Sequence, residues 1–359
     1  MMKKRKLFFL IAVFVFAIFT PAQAQSLIDI PFGIRPTKAI EGQQETYSYF
    51  SYRVSPGSTL NDEALVLNTG DEPVTLHLYA ADGVTAQNGG TDFVEFGSFS
   101  TGYSHAASTW VIPSVDEVTL APDEERTIAF QLKIPADAEP GQHVAGLVVE
   151  AAPELSTVDT TNETESQMSI ETVRRVGVAV VMDIPGERNA ILKINDIALH
   201  EQNDAGTVFA VELENQGNVF LKSNGFFVIT DRNAERIITT IPVSFDTILP
   251  GDVATFYVSR AARFGDGKYL LSVLLDHDGQ KSVLEGVGMT IKNGQPAIEG
   301  VVNDNVFSPE EVEVFFEKEA RSPQSVWIII AGISFLGALA AGGFVYWLGG
   351  RKRAERGAS

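Results

Sequence analysis

Ala64-Leu-Val-Leu-Asn68 and Val211-Glu-Leu-Glu-Asn215 decide the fold. Each is a short apolar run that closes on an asparagine and a turn. Beyond the first lie Leu120-Ala-Pro-Asp123, a strand pattern, and Gly141-Gln-His-Val-Ala-Gly-Leu-Val-Val149. Beyond the second lie Leu249-Pro-Gly-Asp252, a strand pattern, and Gly267-Lys-Tyr-Leu-Leu-Ser-Val273. The same elements recur in the same order, so the chain holds a degenerate internal repeat. A repeat of this length, built from strands, predicts two β-sandwiches in tandem.

The segments around the repeat have strand periodicity. Residues 74–79 alternate as Val-Thr-Leu-His-Leu-Tyr, which sends Val74, Leu76 and Leu78 to a core and Thr75, His77 and Tyr79 outward. Residues 127–134 bury Ile128, Phe130, Leu132 and Ile134 in the same way, and Phe209, Val211 and Leu213 continue the pattern. Turn signals separate the runs, among them Pro56-Gly57, Thr69-Gly70-Asp71, Asn215-Gln216-Gly217 and Pro250-Gly251. A sustained helical period is absent between residues 25 and 325. The expected fold class is all-β: two tandem immunoglobulin-like β-sandwiches, residues 25–186 and 187–293, plus a C-terminal single transmembrane helix.

In the second copy Gly267-Lys268-Tyr269 stands where such a sandwich carries a tyrosine corner, its hydroxyl bonding back to the main chain. The first copy has His143 there, read as a strand-start residue with a local hydrogen bond. The copies differ in length between equivalent points. Asn68 to Leu120 is 52 residues, whereas Asn215 to Leu249 is 34. The excess falls around 81–110 and holds Asn88-Gly-Gly, Phe93, Phe96, Phe99, Tyr103, His105 and Trp110. Aromatic, glycine-rich insertions are where binding loops sit; the plain alternative is an extra hairpin packed on the sheet. Residues 151–167, rich in Glu, Thr, Ser and Asn, read as a solvated loop before a long strand over 168–184. Residues 294–325, with five glutamates between 310 and 319, read as an acidic stalk.

The two ends locate the protein. Lys3-Lys-Arg-Lys6, an apolar run from Leu7 to Phe19 and Ala22-Gln-Ala24 make a secretory signal peptide over residues 1–24. Val326 to Leu348 is uncharged, about 34 Å long as a helix and able to cross a bilayer. The basic tail, 349–359, follows it, so the helix keeps the tail inside and residues 25–325 outside. Ser334, Ala338 and Gly342 form a small-residue stripe suited to helix contact. Of the formal charge of −19, residues 1–24 contribute +4 and those from 326 onward +3, leaving −26 on residues 25–325. Such a surface repels nucleic acid and anionic lipid. It also repels anionic wall polymers at long range, so wall binding needs short-range contacts or bridging cations. With no cysteine, the exported part is held by its cores, and thiol chemistry is excluded. An exported chain of this kind points to a bacterial surface.

Catalytic signatures are missing: G-x-S-x-G, S-x-x-K and H-E-x-x-H do not occur. The five histidines never pair at metal-ligand spacing. Asp276-His-Asp278-Gly279 is read as a strand-connecting turn, since the later carboxylates of a calcium loop are missing. Neither enzyme activity, a cofactor nor a metal is expected.

Residues 27–184 carry a resemblance. Phe32-Gly-Ile-Arg-Pro36, Tyr49-Phe50, Val54-Ser-Pro-Gly57, Leu67-Asn68, the Tyr79…Thr85…Asn88-Gly89-Gly90 region, Val118-Thr-Leu-Ala-Pro122 and Ile134-Pro-Ala-Asp…Pro140-Gly141 resemble the peptidoglycan-binding domain of the WxL-interacting proteins of Gram-positive bacteria. The resemblance implies a cell-surface protein with two immunoglobulin-like domains and a C-terminal anchor. It implies peptidoglycan or another cell-wall glycan as partner of the first domain, and a host or WxL-protein role for the second. The chain itself has no W-x-L motif, so a WxL-type partner is a separate secreted protein, and it has no L-P-x-T-G sorting signal. The expected mechanism is stacking of sugar faces on Phe93, Phe96, Tyr103 or Trp110. The alternative is a scaffold that recruits a secreted partner through sandwich faces or edges.

Overall fold

The computed structural model describes residues 30–38, 48–100, 106–158, 168–233, 236–303, 306–308, 310, 312 and 316. The signal-peptide and membrane-helix segments, residues 1–24 and 326–348, and Tyr103 lie outside them. No helix among the described residues is long and apolar enough to cross a membrane.

The first half forms β1 (Phe32–Pro36), β2 (Tyr49–Arg53), β3 (Thr59–Asn68), β4 (Val74–Thr85), β5 (Thr91–Phe93), β6 (Val111–Pro113), β7 (Glu117–Leu120), β8 (Glu125–Lys133), β9 (Gly141–Ala151), β10 (Glu154–Val158), β11 (Met168–Thr172) and β12 (Arg175–Ile184). The second half forms β13 (Leu192–Asn203), β14 (Gly206–Asn215), β15 (Leu221–Asp231), β16 (Arg236–Ile248), β17 (Val253–Arg260), β18 (Gly267–His277), β19 (Gln280–Lys292) and β20 (Gln295–Val301). One sandwich pairs the sheet β1-β3-β8-β6 with the sheet β2-β12-β9-β4, to which β5 and β7 are added at β4. The other pairs β13-β14-β17 with β16-β15-β18-β19-β20. The wiring repeats: β3 and β8 correspond to β14 and β17, and β12-β9-β4 to β19-β18-β15.

Each sandwich closes on its own apolar core, as strand alternation requires. Leu76, Leu132, Leu147 and Val180 meet in the first, and Phe209, Val211, Leu213 and Val273 in the second. Ile128, Phe130, Leu132 and Ile134 are all buried. Truncating one of these, Leu213→Ala for instance, removes about 2–5 kcal/mol.

The repeated asparagine is buried in both copies and performs the same task. Asn68 Nδ2 donates to Glu72 O at 2.8 Å and Ala121 O at 3.0 Å, while its Oδ1 accepts from Gly70 N at 2.9 Å. Asn215 Nδ2 donates to Val219 O at 2.8 Å and Ile248 O at 2.9 Å, and its Oδ1 accepts from Gly217 N at 3.0 Å. An amide side chain, with two donors and an acceptor, closes the turn after its own strand and staples it to the next turn. Asn68 Nδ2 also reaches Leu120 O, so Leu120 corresponds to Ile248 and Pro122 to Pro250. That is one residue off the pairing of Leu120 with Leu249 read from sequence. Tyr269 Oη donates to Gly265 O at 2.8 Å, and His143 Nε2 lies 2.9 Å from Glu139 O. Both side chains reach back four residues, as the repeat predicts.

Three readings change. Residues 154–158 are not loop: β10 pairs antiparallel with β11, and the strand read over 168–184 is broken between Thr172 and Arg175. Tyr79 faces away from the core yet is buried, because the insertion covers it. The first part of the stalk is not a stalk: β20 pairs with β19, and Val312 and Phe316 pack with Phe226, Val228 and Leu274 on the outer face of that sheet.

Candidate functional site

The outer face of the β2-β12-β9-β4 sheet is floored by small residues. Ala81 of β4 lies opposite Gly146 of β9, which lies opposite Ala179 of β12. In the next row Tyr79, Val148 and Gly177 are neighbours. Side chains here alternate away from the core, so the missing Cβ atoms of Gly146 and Gly177 leave a hollow. Phe93 fills it. A Cβ on Gly146 would stand 2.4 Å from its ring, and one on Gly177 would stand 2.7 Å away. The Arg175 guanidinium clamps this seat, donating to Phe93 O at 3.0 Å and Val94 O at 3.2 Å.

Beside Phe93, Tyr79 Oη donates to Glu150 Oε2 at 2.7 Å. Burial, then the bond to and charge of Glu150, push the Tyr79 hydroxyl up to about 12, so it remains a donor at neutral pH. Phe96 meets Tyr79 edge-to-face, ring centres 4.8 Å apart. Phe96 and Phe99 are 67% and 62% exposed, the most exposed aromatic side chains among the described residues of this sandwich.

Asp82 sets the path of the insertion. Its side chain is fully buried, and its carboxylate accepts from Ser100 N and Ala106 N at 3.1 Å each and from Ser108 N at 2.8 Å. Three main-chain donors converging on one acidic group tie Ser100, Ala106 and Ser108 to β4, beside the apolar seat of Phe93. The chain then enters a short 3₁₀ turn, Ala107–Trp110, and joins the opposite sheet as β6.

Of the four aromatics expected to offer stacking surfaces, Tyr103 lies outside the described residues and the other three are divided. Phe93 and Phe96 share the outer face. Trp110 packs against the inner core, its ring 4.8 Å from His143, on the other side of β9. Burial lowers the pKa of His143, keeping it neutral, so Nε2 donates to the Glu139 carbonyl. Trp110 is thus part of the packing. Sequence reading placed Tyr79 on the outward face and missed Asp82, Gly146, Glu150 and Arg175. The break in apolar alternation at Gly146 within Val144-Ala-Gly-Leu-Val-Val149 was the available signal.

A second hollow, about 120 Å³, lies beside Lys38, Tyr49, Tyr52 and Asp62. It is smaller than ligand pockets of ~300 Å³ or more, and Tyr52 Oη and Asp62 already satisfy each other at 2.7 Å. Burial raises the Tyr52 pKa far above the ordinary phenol range. Among the described residues no cluster of three or more His, Asp or Glu could hold a metal ion.

These observations define an all-β chain with two sandwiches and an aromatic outer face on the first. Residues 32–151, within the first sandwich, match the family model of the WxL Interacting Protein, peptidoglycan binding domain, the domain that this part of the sequence resembles. No curated protein matches the chain. Among solved structures, the class 5 fimbriae chaperone CfaA is 13% identical, with a TM-score of 0.28, covering 71% of this chain and 97% of its own. The YadV chaperone is 9% identical, with a TM-score of 0.31 and coverage of 75% and 100%. The CsuC–CsuE chaperone–adhesin complex from Csu pili of Acinetobacter baumannii is 10% identical, with a TM-score of 0.30 and coverage of 65% and 93%. At these TM-scores the likeness carries no argument.

Proposed function

We propose that the chain is a non-enzymatic cell-surface protein whose first sandwich, immunoglobulin-like as is the second, binds peptidoglycan or another cell-wall glycan. The family match over residues 32–151 carries the reading. The outer face supplies a mechanism. Phe96 and Phe99 offer exposed ring faces for sugar, while Phe93 and Tyr79 hold that surface from beneath. Stacking acts at short range and is largely insensitive to salt, as a chain this acidic requires. The apolar segment 326–348 anchors the protein after its signal peptide is removed, leaving the sandwiches outside.

The test is co-sedimentation of the full chain with insoluble sacculi, with and without calcium. Phe96→Ala and Phe99→Ala should weaken binding without changing the melting temperature, since both side chains are already exposed. Normal binding by the folded double variant would remove this face from consideration, and no binding by the parent chain in either condition would remove the function.

A second reading, recruitment of a secreted WxL-type protein, is favoured by one feature. In the first sandwich β6 covers the edge of β8, whereas β17 ends its sheet. An open edge accepts an extended strand from a partner. A photo-crosslinker at Thr255 on intact cells should capture such a protein; capture of none counts against this role.

A further inference from the structure

The geometry points to the Thr85–Gly90 turn, and with it the Asn88-Gly89-Gly90 signature, as an intramolecular docking element that locks the two sandwiches into one cooperative unit. The turn belongs to the β4–β5 hairpin of the first sandwich, inside the segment matched by the family. It does not face the aromatic surface. Thr85 donates from its main-chain N and from Oγ1 to Asp252 Oδ2, at 2.7 and 2.8 Å, and Oγ1 accepts from Leu249 N at 2.9 Å. Gly90 N donates to Thr247 O at 2.7 Å. Gly89, at φ +90°, lies so close to the second sandwich that a Cβ would stand 2.9 Å from the Asp246 main chain and the Phe256 ring. Only glycine combines that backbone angle with that approach.

A second seam lies at the start of β9. Gln142 N donates to Asn218 O, and Phe220 N donates back to Gln142 Oε1, both at 2.8 Å. Asn218 Nδ2 bridges Pro140 O at 2.9 Å and Glu187 O at 2.8 Å, so it ties the first sandwich, the linker and the second sandwich together. Gly141 has φ +130°, and a Cβ there would lie 2.4 Å from Asn218 O.

The internal repeat provides the control. Glu124 corresponds to Asp252: the Glu124 carbonyl accepts from Asn68 N, and the Asp252 carbonyl accepts from Asn215 N. The Glu124 carboxylate caps its own turn, accepting from Ala121 N at 2.8 Å. The Asp252 carboxylate instead reaches across to Thr85. In the second copy, then, this side chain serves the joint and not its own corner. Domain motion is the default across a single modest contact; two separated seams of hydrogen bonds suppress rotation about either one.

Hydrogen exchange of the full chain in mild detergent, across a denaturant series, tests this. Peptides from β9 and β18 should lose protection at one common midpoint. A Gly89→Ala/Gly141→Ala double variant should split the midpoints. Tryptic cleavage at Arg188 in the linker should then rise by about tenfold or more, since cleavage tracks the population of open forms. Should that variant fail to fold, Thr85→Val, which keeps the shape and removes the hydroxyl, should still accelerate cleavage at Arg188. Separate midpoints in the parent chain, or equal cleavage in parent and Thr85→Val, would overturn the proposal.

Discussion

Replacing Asp82 by Asn tests whether one buried carboxylate organises the aromatic face. The substitution preserves shape and removes charge. Two of the three main-chain donors meet Oδ2 and one meets Oδ1. An amide can keep acceptance on one side only, and its NH₂ then points at a donor. Hydrogen bonds to a charged group contribute about 1.5–3 kcal/mol each, and a buried donor left alone costs about 1–3 kcal/mol. The expected loss is ~2–4 kcal/mol, limited by the ability of the loop to lift into water. For one cooperative unit of both sandwiches that is a fall of roughly 4–7 °C in melting temperature. Calorimetry reads the global loss, and hydrogen exchange at Ser100 and Ser108 reads the local one. If the loop lifts, the thermal shift shrinks, but exchange at both amides accelerates and sacculus binding falls, because Phe96 and Phe99 lose their placement. A variant that melts within ~2 °C of the parent and still protects both amides would refute the reasoning.

Asn215→Ala removes three buried hydrogen bonds and should cost about 3–5 kcal/mol by denaturant unfolding, with Asn68→Ala close behind; a loss under ~1 kcal/mol for either would show that the turns hold without the staple. Gly146→Val should expel Phe93 from its seat, exposing Val148 and Gly177, and is read by proteolysis of the 91–100 segment; unchanged protection would mean that Phe93 is not seated there. Burial places the His143 pKa below its unfolded value, so the unfolded chain takes up the proton first as pH falls, and the stability is present above about pH 6.5 and lost below it. The parent should therefore lose more melting temperature between about pH 7.5 and 5.5 than His143→Phe; equal slopes would dismiss His143 as a source of acid sensitivity.

The strands and the repeat were legible because alternation and paired asparagines are local signals. Ile128, Phe130 and Leu132 announce a core face within one strand, and Tyr269 and His143 announce their bonds through position in the repeat. The site was less legible, because faces depend on register. Trp110 and Phe96 lie close in sequence, but the chain crosses from one sheet to the other between them. Asn88-Gly89-Gly90 read as part of a binding loop or of a hairpin packed on the sheet; the β4–β5 hairpin forms, and its docking to Asp246–Asp252 was hidden because those partners are remote in sequence. Residues 151–158 were too polar for a period to be read, yet β10 has β11 to pair with. β20 was missed because exposed residues alternate with half-buried ones along it, so packing left little pattern.

The parallel pair β2–β12 bears on the order of assembly. Tyr49–Arg53 hydrogen-bonds to Ala179–Asp183, so β2 waits for a strand made long after it. Contacts of such separation slow folding, because the chain pays loop entropy before any pairing rewards it. A nascent chain ending at residue 151, where the family match stops, lacks Val178, Val180 and Met182 from its core and leaves the edge of β9 bare. The end of the family match and the point at which the first sandwich can close its core thus differ by the length of β10, β11 and β12. β2 therefore stays unpaired until that third strand has been made, so the sheet closes late in the assembly of the first sandwich.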